Sequence, residues 1–269
     1  MPELPEMETY RRLLSDSIPG KTVTQAKVQR EKTINVPVPT FVQQVEGRTI
    51  RGIERRAKQL LFHLDSGHVL LLHLMLGGFL YYGSDSDKLD RTAQVTLHLG
   101  EHILYFHGLR LGYLHIYTAA ECSEKLSNLG PEPLDPSFTL PRFQQLLSDK
   151  RGTLKTTLVD QNFLSGIGNC YSDEICFDAG ILPMRKVPSL DSLAIASLYH
   201  SMQAVLKEAI QLGGYMEYPL YQGDSLTGGA NEWCKVYDRG QAPCLRCGTP
   251  IIQDELSSRK VFYCPRCQK

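Results

Sequence analysis

Eight cysteines occur in the 269 residues, and four of them fall in one pattern. Cys244-x-x-Cys247 is followed by sixteen residues and then by Cys264-x-x-Cys267. Each pair is a tight knuckle that offers two thiolates at about 2.3 Å from one ion, and a tetrahedral structural zinc site takes two such knuckles. The stretch between them holds Ile251-Ile252 and Val261-Phe262-Tyr263, which suits a two-stranded hairpin. So short a segment has little core of its own, so one zinc ion is expected to supply much of its folding free energy. Cys122, Cys170, Cys176 and Cys234 have no ligand spacing and read as small buried hydrophobes.

Composition narrows the class. With 42% hydrophobic and 22% charged residues the chain is globular, and at roughly 100–200 residues per domain it has room for two domains. The richest apolar run, residues 69–76, is strand-sized, so no membrane span is expected. The start Met1-Pro2-Glu3-Leu4-Pro5-Glu6 is acidic and lacks the apolar core of a secretory signal, which points to the cytoplasm. Twenty-nine basic residues balance twenty-nine acidic ones. That balance argues against a uniformly basic nucleic-acid binder, yet a local groove needs only a handful of phosphate contacts.

Residues 5–18 read as an amphipathic helix with Met7, Tyr10, Leu13 and Leu14 on one side and Gly20 past its end. Between residues 23 and 117 the pattern changes to short β-branched and aromatic runs, at 59–64, 69–74, 79–82, 94–99 and 102–106. Such spacing indicates an antiparallel sandwich or barrel. Leu129-Gly130-Pro131-Glu132-Pro133-Leu134-Asp135-Pro136 is a stiff connection, and helical periodicity follows at 140–148, 153–160, 171–178 and 191–212. The expected organisation is α+β and multidomain. It comprises a β-domain at 1–130 with an N-terminal helix, a linker at 131–136, a helical domain at 137–235 and a zinc hairpin at 236–269.

Three places carry chemistry. Removal of Met1 before a small second residue leaves Pro2 as a secondary amine. An α-amino group near pKa 7.7–8.0 is roughly a tenth neutral at pH 7, enough to attack an electrophilic carbon and form an iminium. Glu3 beside it is placed to move a proton. The structural alternative is a helix start, where proline and carboxylates are both favoured. In Ser165-Gly166-Ile167-Gly168-Asn169 the two glycines permit a tight double turn that aims N–H groups at a phosphate, or else a helix cap and turn. The zinc hairpin carries Arg246, Arg259, Lys260, Arg266 and Lys269, which suit either a groove or a solvated face.

Taken together, the Pro-Glu-Leu-Pro-Glu start, the Asp160-Gln161 to Gly166-Ile167-Gly168-Asn169 turn and the terminal Cys264-Pro265-Arg266-Cys267-Gln268 resemble one family. It is the formamidopyrimidine-DNA glycosylase and endonuclease VIII family of base-excision repair enzymes, with the formamidopyrimidine branch nearer. The resemblance spans the chain and implies an N-terminal β-sandwich, a helix–two-turn–helix domain and a zinc finger, with DNA held between sandwich and helical domain. It implies Pro2 as nucleophile on the deoxyribose C1′, Glu3 as the acid assisting ring opening, and Lys58 as the catalytic-hairpin lysine near the lesion phosphate. Arg110, Lys155, Asn169 and Arg259 are the implied DNA contacts. Cys244, Cys247, Cys264 and Cys267 hold one structural zinc, and no organic cofactor is implied.

The chain also departs from that family. Its methionine, arginine and phenylalanine wedge into the gap left by an extruded base. Here Leu76 stands at the methionine, Leu111 at the phenylalanine and His107 at the motif's aspartate, while Arg110 is kept. Leucine fills a void but does not stack on a base, and stacking contributes roughly 1–3 kcal/mol. The 215–230 loop diverges as well. The resulting expectation is a monomeric, bifunctional glycosylase and abasic-site lyase for double-stranded DNA, proceeding by β,δ-elimination, with 8-oxoguanine excision weak. A non-catalytic protein that binds distorted or abasic DNA is the alternative. A zinc-ribbon module without DNA leaves Pro2 and Lys58 unexplained.

Overall fold

Alternate side chains along β6 (Ala93–Leu99) are buried, the signature of a strand with one face on a core. In the computed structural model, which describes residues 1–269, that face belongs to a sandwich of two four-stranded antiparallel sheets. One sheet has the order β1-β6-β7-β5, adding β1 (Gln25–Val28), β7 (His102–His107) and β5 (Phe79–Gly83). The other has the order β2-β3-β4-β8, from Ile50–Arg56, Gln59–Leu64, His68–His73 and Tyr113–Thr118. Leu60, Phe62, Leu70 and Leu72 meet Val95, Leu97, Leu104 and Phe106 in one core, where Phe62 and Phe106 pack edge-to-face at 6.3 Å. α1 (Leu4–Ser15) adds Met7, Tyr10 and Leu14.

Two helices of the first unit were not marked by periodicity, one inside the strand-like stretch and one just after it. α2 (Val38–Val45) is rich in β-branched residues but has proline in its first turn, and it buries Phe41 and Val45. α3 (Ala119–Leu126) starts at Thr118, whose hydroxyl accepts from the Glu121 amide. Cys122 on α3 packs with Leu61, Val69 and Leu71, so β3 and β4 are buried on both faces. That burial explains why neither strand alternates cleanly in sequence.

The first unit comprises Met1–Asn128 and Leu212–Gly229, and the second Leu129–Gln211 and Ala230–Lys269. This differs from the expected boundaries in two respects. Leu212–Gly229 does not belong with the helical residues around it, because its polar groups bond into the sandwich: the Tyr215 amide donates to Glu6 and the Tyr82 amide to the Leu220 carbonyl. The zinc hairpin is not a separate body either, since Phe177 of the helical region sits in the hairpin core with Val236, Ile251 and Phe262.

The second unit contains α4 (Leu140–Ser148), α5 (Leu154–Leu158), α6 (Asn169–Asp178), α7 (Ser192–Gln211) and the hairpin of β9 (Ile252–Leu256) and β10 (Arg259–Tyr263). α6 is buried nearly throughout. Its Glu174 carboxylate accepts three amides, from Lys235, Val236 and Tyr237, and Asp173 accepts the Phe262 amide at 3.1 Å. Lys155 donates to Asp173 at 2.7 Å, with both side chains fully buried. Burial lifts the Asp173 carboxyl to about 7 against the pull of Lys155. Removing one member of a buried pair costs about 3–5 kcal/mol. Lys155→Met should therefore lower the unfolding free energy of the second unit by about that amount in denaturant titration, and adding Asp173→Leu should recover part of the loss.

Candidate active site and metal centre

The N-terminal residues are fixed by one carboxylate. Pro2 and Glu3 are buried and Met1 is exposed. The Glu3 amide donates to Glu6 Oε2 at 2.6 Å, three residues on, where the first helical turn places it. The other oxygen, Glu6 Oε1, accepts the Tyr215 amide at 2.8 Å. Glycine is required opposite: Gly214 has φ +73°, and a Cβ there would lie 2.7 Å from Glu6 Oε1. Glu6 is a functional position missed in the sequence, although the Glu3–Glu6 spacing is that of a helix-capping pair. Through it the 212–229 segment lies against the Pro2-Glu3 start.

Lys58 stands in the β2–β3 hairpin turn, after Ala57 with its left-handed φ of 55°. Arg55 stages this turn, donating through Nε to Glu8 Oε2 on α1 at 3.0 Å and through Nη1 to the Ala57 carbonyl at 3.0 Å. Burial pushes the Glu8 carboxyl up, but Arg11 and Arg55 outweigh it and hold the group below its ordinary value. Lys58 is 6% exposed. His73 faces it from β4, where it pairs with Gln59, and burial together with the Lys58 charge lowers the imidazole to about 4. A neutral imidazole beside a lysine is a further candidate that no motif flags.

Leu76 and Leu111 project from the β4–β5 and β7–β8 loops, 66% and 65% exposed. Met75, just before Leu76 in the β4–β5 loop, takes a left-handed φ of 56°. The two loops touch backbone to backbone. A Cβ on Gly108 would come within 1.8 Å of the Gly77 carbonyl oxygen, and one on Gly112 within 2.4 Å of the His73 carbonyl oxygen. Arg110 is exposed, and its carbonyl accepts from Arg30.

In the second unit Gln161 builds the double turn. Its amide donates to the Val159 and Ile167 carbonyls and its oxygen accepts the Gly166 amide at 2.9 Å. Gly166 takes φ +94° as the turn demands, whereas Gly168 is extended and leads into α6. Asn169 is the first residue of α6, half-buried, with an Oδ1 that has no partner. It stands at the N-terminus of α6, the positive helix end that favours an anion. Lys155, expected as a DNA contact, is turned inward and fully buried. Its ammonium is spent on Asp173 and on the Asn169 carbonyl at 2.8 Å, so it supports the turn and is not available to a phosphate. Arg259 is exposed at the tip of the β9–β10 hairpin, next to Ser257 and Ser258 in left-handed conformation. Arg246 is committed internally, donating to the Phe177 carbonyl and pairing with Asp178.

The Sγ atoms of Cys244, Cys247, Cys264 and Cys267 all lie within 4.8 Å of one another. Cys244–Cys267 measures 3.9 Å and Cys247–Cys264 3.5 Å. Bonds of about 2.3 Å in a tetrahedron place sulfurs about 3.8 Å apart, so the donor set fits zinc. The ion supplies structure and no chemistry.

Family profiles match in order: the formamidopyrimidine-DNA glycosylase N-terminal domain at residues 1–113, its H2TH domain at 129–217, and the zinc finger found in FPG and IleRS at 242–269. The formamidopyrimidine-DNA glycosylases of Listeria monocytogenes and Geobacillus kaustophilus are 33% and 37% identical, over the whole of both chains. The Lactococcus lactis Fpg in complex with abasic-site DNA superposes with TM-score 0.92 at 27% identity, covering 99% of each chain. A point mutant of the same Lactococcus lactis protein, in complex with Fapy-dG DNA, also gives 0.92 at 27% identity, covering all of both chains. The chain belongs to the formamidopyrimidine-DNA glycosylase family. No helix is long and apolar enough to cross a membrane.

Two outcomes follow from the site. Elemental analysis should find one zinc per chain, and Cys247→Ser should lose it and melt the hairpin while the first unit keeps its own thermal transition. His73 binds its proton less readily folded than unfolded, where its value is 6.5. Its contribution is intact above about 6.5 and lost as pH falls toward 4. The melting temperature of the first unit should drop across that window, and His73→Gln should flatten the slope.

Proposed function

We propose that the protein is a bifunctional DNA glycosylase and abasic-site lyase acting through an N-terminal proline. The observation that carries this reading is the buried Pro2-Glu3 start, held by Glu6 and placed in the same unit as the Lys58 hairpin. With Met1 removed, the Pro2 amine attacks C1′ of a damaged nucleotide. The N–C1′ bond forms as the base leaves, and Glu3 donates the proton that opens the sugar ring to an iminium. Loss of a C2′ proton expels the 3′ phosphate, a second elimination expels the 5′ phosphate, and water releases the amine. At an abasic aldehyde the amine adds and water leaves, giving the same iminium without base excision.

Lys58, Asn169 and Arg259 are the phosphate contacts in this reading, and Arg110 enters the duplex with the wedge. Leu76 and Leu111 fill the gap left by the flipped nucleotide. Lacking an aromatic face, they support abasic-site cleavage better than 8-oxoguanine release.

Intact mass should show a chain without Met1. Borohydride should trap a covalent adduct with abasic-site DNA, Pro2→Gly should reduce trapping at least about tenfold, and 8-oxoguanine release should be slow. Tight binding of abasic DNA without any adduct would replace the lyase with the non-catalytic binding reading.

A further inference from the structure

Cys170 and Cys234 lie 64 residues apart in sequence, and the fold brings their sulfurs to 3.9 Å. Neither is in a disulfide, and neither belongs to the four-thiolate centre. Both are buried, 5% and 4% exposed, among the apolar side chains of the second unit. A disulfide bond measures about 2.05 Å, so joining these sulfurs means closing a gap of about 1.9 Å. Shared between two side chains, that is about 1 Å apiece, roughly what a turn of about 30° about each Cα–Cβ bond gives a sulfur. No spacing in the sequence marks the pair.

Each cysteine adjoins a residue whose place is fixed. Cys170 is the second residue of α6, directly after Asn169, and the Asn169 carbonyl accepts from the Lys155 ammonium at 2.8 Å. Cys234 directly precedes Lys235, whose amide joins those of Val236 and Tyr237 on the Glu174 carboxylate. Glu174 stands one turn beyond Cys170 on the same helix. The 235–237 backbone is therefore already tied to α6 at Glu174, and a bond between the sulfurs adds a second tie at the helix start. Of the two ends, the helix start yields more easily. Its first amides have no partner within the helix, whereas the other end is held by three amides on one buried carboxylate.

We infer that Cys170 and Cys234 are a reversible dithiol–disulfide site for hydrogen peroxide, and that closing it displaces Asn169 from its place at a phosphate. The second half rests on the phosphate contact proposed above for Asn169. The positive end of α6 favours a thiolate in its first turn, which makes Cys170 the attacking sulfur. Burial among apolar side chains opposes ionisation, so the reaction is slow beside that of an exposed thiolate.

The Cys170 thiolate attacks one peroxide oxygen. An S–O bond forms, the O–O bond breaks, and the hydroxide released takes up the proton that the thiol lost and leaves as water. The product is a sulfenic acid. The Cys234 thiol attacks that sulfur, the S–S bond forms, and the hydroxyl departs as water with the Cys234 proton. Two thiols and one peroxide thus give one disulfide and two waters. The sulfurs give up two electrons and the peroxide oxygens accept them. A small dithiol reductant reverses the bond by exchange and restores both thiols.

Peptide mapping of the zinc-loaded chain after peroxide treatment, with the remaining thiols alkylated, tests the bond itself. A cross-linked peptide joining Cys170 to Cys234 should appear, and a dithiol reductant should abolish it. A duplex carrying a stable abasic analogue should bind the oxidised chain about tenfold more weakly than the reduced one, the lower end for losing one hydrogen bond to a charged group. Reduction should restore the affinity. Cys234→Ala and Cys170→Ala, each keeping a small apolar side chain, should bind as the reduced wild type does and lose no affinity in peroxide. Zinc content measured on the same samples separates the pair from the four-thiolate centre. Equal loss of affinity in either variant would trace the effect to other thiols and overturn the inference, as would alkylation of both cysteines without a cross-link. A cross-link that leaves affinity unchanged would overturn the displacement of Asn169. A reduced chain that binds the abasic duplex no better than undamaged DNA would sink the repair reading instead, with the cross-linked peptide still found.

Discussion

Two neighbouring carboxylates on one buried helix organise the second unit. Asp173 and Glu174 of α6 lie in almost complete seclusion, where an unpaired charge is prohibitively costly. The chain answers with donors from three neighbouring segments: Lys155 from α5, the Phe262 amide from β10, and the Lys235, Val236 and Tyr237 amides from the segment leading to the zinc knuckles. The same Lys155 ammonium holds the Asn169 carbonyl. Helix, double turn and zinc hairpin are thereby set in one register, and the hairpin tip with Arg259 inherits that register.

In the first unit a single carboxylate has a comparable role. Glu6 spends one oxygen on the Glu3 amide and the other on the Tyr215 amide. The N-terminal residues and the 212–229 segment, far apart in sequence, are thus positioned by the same group. Gly214 permits the approach, because any Cβ there would collide with Glu6.

The wedge loops depend on steric absence instead. Gly108 against Gly77, and Gly112 against His73 and Leu74, bring the two loop backbones closer than any side chain allows. That contact displays Leu76 and Leu111 together as exposed apolar tips.

Much of this was legible in the residues. The cysteine spacing specifies the zinc centre because ligand geometry is local, and the Pro2-Glu3 start and the double-turn glycines carry their chemistry in adjacent positions. Periodicity located α1, α4, α6, α7 and the principal strands for the same reason. What only the tertiary structure decided are relations between distant residues. These are the return of Leu212–Gly229 to the first unit, the withdrawal of Lys155 into a buried pair, and the neutral His73 beside Lys58. α2 and α3 were hidden because β-branched residues and a short length mask a helix whose stability comes from burying Phe41, Val45 and Cys122. Local spacing determines which atoms can act as ligands and nucleophiles. Whether a given lysine or histidine faces solvent or its own chain depends on burial, which is set by parts of the sequence far from it.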